Sequence, residues 1–195
     1  MSLINQLSDE KEPFATCLLS TDCTTTSGIE HRVLEDNGHS DILLRYMEDA
    51  LQRHHISPEA LQRHMDLIAT LKIENLPILR SPYPQPSTTQ KGNFAEVFLA
   101  EYLVSTTDME LPIYRLRYNT NPDQSMKGDD VLLFDLDSDP VRIIVGESKF
   151  RGIPDKQSVI DIVDGLVRSY KAGYIKQISN ERLAAFGLVS MSNYY

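Results

Sequence analysis

The stretch "DVLLFDLDSDPVRIIVGESK", residues 130–149, decides how the chain is read. Two apolar runs of strand length flank Asp137-Ser138-Asp139-Pro140. Asp, Ser and Pro clustered between runs rich in Val, Ile and Leu are the composition of a hairpin turn. With Ser138-Asp139 as a two-residue turn, Asp137 opposes Pro140 and Asp130 opposes Glu147. Side chains alternate along a strand, and opposed residues share a face. One face then carries Asp130, Leu132, Phe134 and Leu136, with Val141, Ile143, Val145, Glu147 and Lys149 across from them. It is apolar along its length and ends in two carboxylates and an ammonium. The other face carries Val131, Leu133, Asp135, Arg142, Ile144, Gly146 and Ser148.

Opposed Cβ atoms lie roughly 5 Å apart, which sets Asp130 beside Glu147. Two carboxylates at the edge of a core are costly unless positive charge compensates them. A divalent cation does so. Mg²⁺ takes oxygen ligands from one or two carboxylates, with waters and phosphate oxygens completing its shell, and Mn²⁺ accepts the same donors. Lys149 is placed to orient an attacking water and to steady charge developing at phosphorus. A slip of one residue exchanges Asp130 for Asp129, and both stay open on spacing alone. An acid-x-Lys triplet is expected about once by chance in a chain of this size. Asp9-Glu10-Lys11 is such a triplet, in a polar terminus with no strand before it. Asp123 and Asp155, each after a proline, lie outside the paired position.

The elements around the hairpin fill out a mixed α/β pattern. "GNFAEVFLAEYLV" (92–104) reads as a helix, with Glu96 on the stripe of Gly92, Leu99, Ala100 and Leu103. An acid in an apolar stripe is uncommon unless paired, so Glu96 is a third candidate acid. Glu101 reads as an acid at the amphipathic edge. "LPIYRLRY" (111–118) alternates like a strand, and "TNPDQSMKG" (120–128) is a loop. "KQSVIDIVDGLVRSYKAG" (156–173) is an amphipathic helix closed by Gly173. "SNERLAAFGLVS" (179–190) reads as a further helix. The core order is therefore α-β-β-β-α, with no final strand evident.

Proline-rich "SPYPQPSTTQ" (81–90) reads as a linker between an N-terminal, largely helical region, 1–80, and the core, 91–195. In the N-terminal part "FATCLLS" (14–20) reads as a strand. "SDILLRYMEDALQRH" (40–54) and "SPEALQRHMDLIATL" (57–71) read as helices, the second capped by Ser57 with Pro58 behind it. His54, His55 and His64 follow the pattern of solvated helix faces, with no acid at ligand spacing.

Charge narrows the function classes. The chain has 195 residues, 19 basic and 28 acidic, for a net charge of −9. Phosphate contacts need Lys and Arg, so the chain as a whole is not an electrostatic DNA binder. Arg115, Arg117, Lys127 and Arg151, with Lys156, are the candidates to line a DNA path near the site. Phosphate-loop, nucleophile-elbow and dinucleotide glycine motifs are absent. No apolar run approaches the roughly 20 residues of a membrane span, and the first residues lack the pattern of a secretory signal. Cys17 and Cys23 have no metal-ligand spacing, which favours a reducing cytoplasm.

An acid on a helix, an Asp on one strand and Glu-Ser-Lys on the next resemble the PD-(D/E)xK nuclease superfamily, whose core is αβββαβ. More closely, "TTQKGNFAEVFLAEYL", "KGDDVLLFDL" and "IIVGESKF" are similar to the HamA family of Hachiman anti-phage defence nucleases. The likeness covers roughly residues 85–175. It implies Mg²⁺-dependent hydrolysis of DNA in the bacterial cytoplasm. Asp130 and Glu147 would be metal ligands, Lys149 the catalytic lysine and Glu96 the helix acid. The family pattern Gly-x-Asp, here Gly128-Asp129-Asp130, favours Asp130. The likeness also implies a helicase partner, HamB, which would supply the DNA affinity that a charge of −9 does not. The rival reading is a non-catalytic regulatory or assembly subunit that keeps a nuclease-like fold. The charge and the missing strand favour that rival, whereas the intact acids and lysine favour the enzyme.

Overall fold

The computed structural model describes residues 3–26, 28–71, 81–139, 141–153, 155–172 and 182–190. In chain order the elements are α1 (Phe14–Cys17), β1 (Leu18–Thr24), β2 (Glu30–Asp36), α2 (Ser40–His55), α3 (Pro58–Leu71), α4 (Ser87–Thr106), β3 (Val131–Asp135), β4 (Arg142–Arg151), α5 (Lys156–Ala172) and β5 (Arg182–Ser190).

The hairpin adopts the register read from the sequence. Val131 pairs with Gly146, and the ladder runs to Asp135 and Arg142. The turn is tied by side chains: Ser138 Oγ donates to Asp135 O at 3.1 Å and accepts from Arg142 N at 3.0 Å. β4 pairs on its other edge with β5, in parallel, from Ile143 and Arg182 to Arg151 and Ser190. The sheet order is β3-β4-β5. A parallel pair needs a long crossover, and α5 provides it.

Both faces of this sheet are covered. Val131, Leu133 and Ile144 are buried on one face against Leu99, Ala100 and Leu103 of α4. Gly146 is where that helix comes closest. A Cβ there would lie 2.9 Å from Val131 Cβ and 3.2 Å from Leu99 Cδ2. On the second face Ile143 and Val145 pack with Leu132, Phe134 and Val141. α5 lies on this side, with Gly165 against Glu147: a Cβ at Gly165 would meet Glu147 Cδ at 3.3 Å. The face bearing Glu147 and Lys149 is thus one of two apolar faces, and the other is the more deeply buried.

α4 is buried on two sides. Its far side joins Val97 and Tyr102 to Phe14, Met47, Ala50 and Leu116. Phe14 sits at the centre, meeting the rings of Tyr46, Phe98 and Tyr102 edge-on. α3 starts as expected, with Ser57 Oγ accepting from Ala60 N at 3.2 Å, and none of its residues is buried. No helix among the described residues is long and apolar enough to cross a membrane.

Four expectations change. Residues 111–118 are not a strand: Arg115–Tyr118 form a 3₁₀ turn. Glu110 exchanges backbone hydrogen bonds with Phe134 at 2.8 and 3.0 Å, and Leu111 packs on the core beside the sheet. Pro112 has no amide donor for a ladder, and Leu116 gains more by burial between α2 and α4 than an edge strand would offer. The helix expected over 179–190 is instead β5 across 182–190, so the final strand of the sheet is present. A short apolar run does not tell strand from helix by periodicity, and nine register pairs with β4 decide it. α4 begins at Ser87, five residues before the expected start at Gly92, because Pro86 ends the extended segment and leads into it. "FATCLLS" divides into the short helix α1 and the start of β1, which pairs with β2 from Leu18 and Asp36 to Thr24 and Glu30. Gly173, the expected helix stop, lies outside the described residues.

Candidate active site

The site forms where the hairpin opens. Asp130 precedes β3, and its N–H donates to Gly146 O at 3.0 Å. Its carboxylate turns across the strand gap and accepts from Ser148 N at 2.8 Å and Ser148 Oγ at 2.9 Å. Ser148 is buried on the α4 face. Its neighbours Glu147 and Lys149 therefore point to the α5 face. There Lys149 Nζ donates to Glu147 Oε1 at 2.7 Å. The lysine side chain is 32% exposed and the glutamate 14%.

Glu96 enters from α4 and is buried. The Arg115 fork holds it, with Nε donating to Oε1 at 3.0 Å and Nη2 to Oε2 at 2.9 Å. The same Nη2 reaches Asp130 Oδ1 at 3.3 Å, and Nη1 donates to Gly128 O at 3.2 Å. Gly128 has φ +112°, a conformation open to glycine and strained for other residues. It turns the loop so that Asp129 and Asp130 enter the sheet edge. Two bonded sets result: Glu96, Arg115 and Asp130 meet around Ser148, and Glu147 pairs with Lys149 on the α5 face, the sets acting on each other through charge. The Asp130 carboxylate, expected on the face of Glu147, thus bonds instead to Ser148 and Arg115.

The acids of the site outnumber its cations. Three carboxylates, Glu96, Asp130 and Glu147, face two cations, Arg115 and Lys149. Burial pushes the Glu96 carboxyl up to about 7, against the pull of Arg115 and with a further push from Asp130 and Glu147. Burial also raises Glu147, with Lys149 opposing and the charges of Asp130 and Asp129 adding. Burial works against the charge on Arg115, and the surrounding acids outweigh it.

The donor set suits a hard divalent cation. No three acid, histidine or cysteine side chains among the described residues form a ready metal cluster. Mg²⁺ does not require one, since one or two carboxylates and waters suffice. Asp130 and Glu147 provide two such carboxylates at neighbouring strand ends. Both oxygens of Glu96 face the Arg115 fork.

The expected basic path is not a single line. Arg115 lies among the acids. Arg117 turns toward α2, donating to Arg53 O at 2.9 Å and stacking over the Tyr114 ring at 4.1 Å. A strand would have set the two arginines on one face, and the 3₁₀ turn separates them. Lys127 is exposed in the loop before Gly128. Arg151 donates to Ser158 Oγ at 2.9 Å, at the start of α5. Lys91 Nζ lies over the Phe150 ring at 5.5 Å, a contact beside the site that the sequence reading did not find. The other acid motifs are structural. Asp123 Oδ1 accepts from Gln85 N at 2.8 Å, Asp155 caps α5 through Ser158 N at 2.6 Å, and Glu10 accepts from Tyr102 Oη at 2.9 Å.

A second polar cluster lies on the far side of α4. Glu101, expected at an amphipathic edge, is buried and takes hydrogen bonds from Tyr46 Oη, from His54 Nε2 at 2.8 Å and from Arg53 Nη2 at 3.3 Å. His55 is buried too: its Nδ1–H donates to Leu51 O at 2.8 Å and its Nε2 accepts from Asn93 Nδ2 at 3.1 Å. Burial lowers the His55 pKa. His54 and His55, 3% and 6% exposed, are core residues and not a solvated face. Two acids on one helix, each within an apolar stretch, were the available signal.

The chain is similar to known proteins. A family model described as HamA matches residues 12–188. "Hachiman protein HamA" of Bacillus cereus is 36% identical over 133 residues, covering 66% of this chain and 48% of that protein. The chain thus spans about half the length of the curated relative it matches.

Proposed function

The chain belongs to the HamA family, and from that premise we propose that it serves Hachiman anti-phage defence as a divalent-metal-dependent nuclease that hydrolyses DNA phosphodiesters. The observation that carries this reading is the joint at Ser148. Asp130 is bound to its backbone, and Glu147 and Lys149, 2.7 Å apart, flank it. Asp130 and Glu147 would hold Mg²⁺ or Mn²⁺, which when bound supplies Lewis-acid charge and lowers the pKa of its water.

The protein's own groups do the positioning. Ser148 fixes the Asp130 carboxylate by two donors. Gly165 leaves room for Glu147 and packs against it. Lys149 carries the exposed charge of the site, within reach of a phosphate oxygen or an attacking water. Glu96 acts through Arg115, to which both its oxygens bond. β5 stands where the αβββαβ order has its last strand, although the first strand is reduced to the bridge of Glu110 with Phe134, and 91–195 is read as the catalytic core. The net charge of −9 supports a partner, the helicase HamB, as the source of DNA affinity. The bacterial cytoplasm is the setting these features suit.

A regulatory, non-catalytic subunit is the second reading, and one observation favours it: Glu96, Asp130 and Glu147 each already bond to a cation. Plasmid DNA incubated with Mg²⁺, with and without the helicase, separates the two. The enzyme reading expects nicking or linearisation that EDTA stops and that Lys149→Ala abolishes. Cleavage that survives Lys149→Ala, or that appears under no activating condition, sinks it.

A further inference from the structure

We propose that Arg115 is a built-in counter-ion of the acidic site, a positioning residue that holds Glu96 and Asp130 together and competes with the divalent cation for Asp130. The inference rests on reading Asp130 and Glu147 as the metal-holding pair.

The geometry is that of a clamp. Nε, Nη1 and Nη2 of Arg115 are all engaged: two donors meet Glu96, one of them also meets Asp130, and the third meets Gly128 O. One planar fork therefore ties α4, the Gly128 turn and the residue that opens β3. Only a guanidinium spans partners this way; an ammonium is a point charge on a flexible stem. Asp130 has two oxygens with different fates. Oδ2 takes both Ser148 donors, and Oδ1 faces Arg115. The oxygen the arginine holds is the one that Ser148 leaves open to a cation.

The clamp is also anchored from behind. Leu116 is buried with Val97 and Met47, and Arg117 donates to Arg53 O on α2. The turn that carries Arg115 is thus held by the N-terminal helices, and the guanidinium is presented from a fixed base. Without it, Glu96 and Asp130 would lose their shared cation inside a partly desolvated site. A divalent ion would then face less competition and more uncompensated charge.

Competition predicts a sign that a merely structural arginine would not give. Removing Arg115 tightens metal binding while slowing cleavage, whereas loss of a structural support weakens both. Isothermal titration of metal-free protein with MnCl₂ reads this directly, without DNA. Arg115→Gln is expected to bind Mn²⁺ on the order of tenfold tighter than the unmodified chain, with Arg115→Lys between them. Circular dichroism establishes that each variant is folded. Folded variants that bind no tighter than the unmodified chain overturn the proposal. Loss of the folded spectrum in both variants overturns it as well, since Arg115 would then be structural. Glu147→Gln separates the underlying reading: unchanged Mn²⁺ affinity in that variant removes Glu147 as a ligand, whatever the Arg115 series returns.

Discussion

The Asp130 carboxylate serves as a partner for the Ser148 main chain, accepting its N–H at 2.8 Å and its hydroxyl at 2.9 Å. β3 begins only at Val131, opposite Gly146. Beyond that point β4 has lost its antiparallel neighbour, and the Asp130 side chain extends the ladder by one rung. Because residues alternate, securing Ser148 on one face aims Glu147 and Lys149 at the other. A hydrogen bond to a charged acceptor is worth about 1.5–3 kcal/mol when buried, and Asp130 is partly exposed. Ser148→Ala should therefore lower stability by about 1–2 kcal/mol in urea titration. In a double-mutant cycle with Asp130→Asn the losses should fall short of additive, and additive losses would argue against the joint.

Gly165→Ala should separate stability from activity. Alanine favours a helix over glycine by about 1 kcal/mol. The new Cβ would press on Glu147 Cδ and Oε1, both 3.3 Å away. The expected outcome is unchanged or slightly raised thermal stability with cleavage reduced several-fold. Full activity in a stabilised variant would mean that the exact seat of Glu147 does not matter.

Glu101 should govern the acid limb of stability. Burial opposes its charge, and hydrogen bonds from His54 and Tyr46, with the Arg53 charge, hold its carboxyl below the usual value of 4.5. A lowered folded pKa contributes stability above the unfolded value and loses it as pH falls through the folded one. Glu101→Gln should thus be less stable than the unmodified chain at neutral pH, with the gap closing in acid below about 4.5. Chemical denaturation at stepped pH reads the gap.

Glu96 should act with the opposite sign, in a separate window. Its carboxyl is raised from 4.5 to about 7. A raised folded pKa favours folding below the unfolded value, and that contribution is lost as pH climbs through the folded one. Metal-free protein should therefore lose stability between about 4.5 and 7, where the Glu101 contribution is already complete. Glu96→Gln should flatten this slope in EDTA; an unaltered slope would place the titration elsewhere.

What the sequence made legible followed from period-two alternation. The turn at Ser138-Asp139 and the apolar runs on either side set the register; the bonding of the Asp130 carboxylate to Ser148 and Arg115 was not legible. The Glu96 stripe was legible for the same kind of reason, at helical spacing. What was hidden depends on partners far away in sequence. Arg115 and Arg117 alternate like strand residues, yet Leu116 between them is buried against α2 and α4, and the 3₁₀ turn sends the arginines to different neighbours. His54 and Glu101 looked solvated because α4 is buried on both sides and so lacks a clear polar face. β5 was read as helix because its partner, β4, lies across a whole helix in the chain.

Phosphodiester cleavage is proposed to depend on Asp130, Glu147 and Lys149. The most direct test is the single-turnover cleavage rate of Glu147→Gln against the unmodified chain, on one DNA at saturating Mg²⁺ with the helicase present. The expected result is a fall of at least about a hundredfold, the scale of losing a transition-state charge contact. A rate within a few-fold of the unmodified protein, from a folded variant, would contradict it.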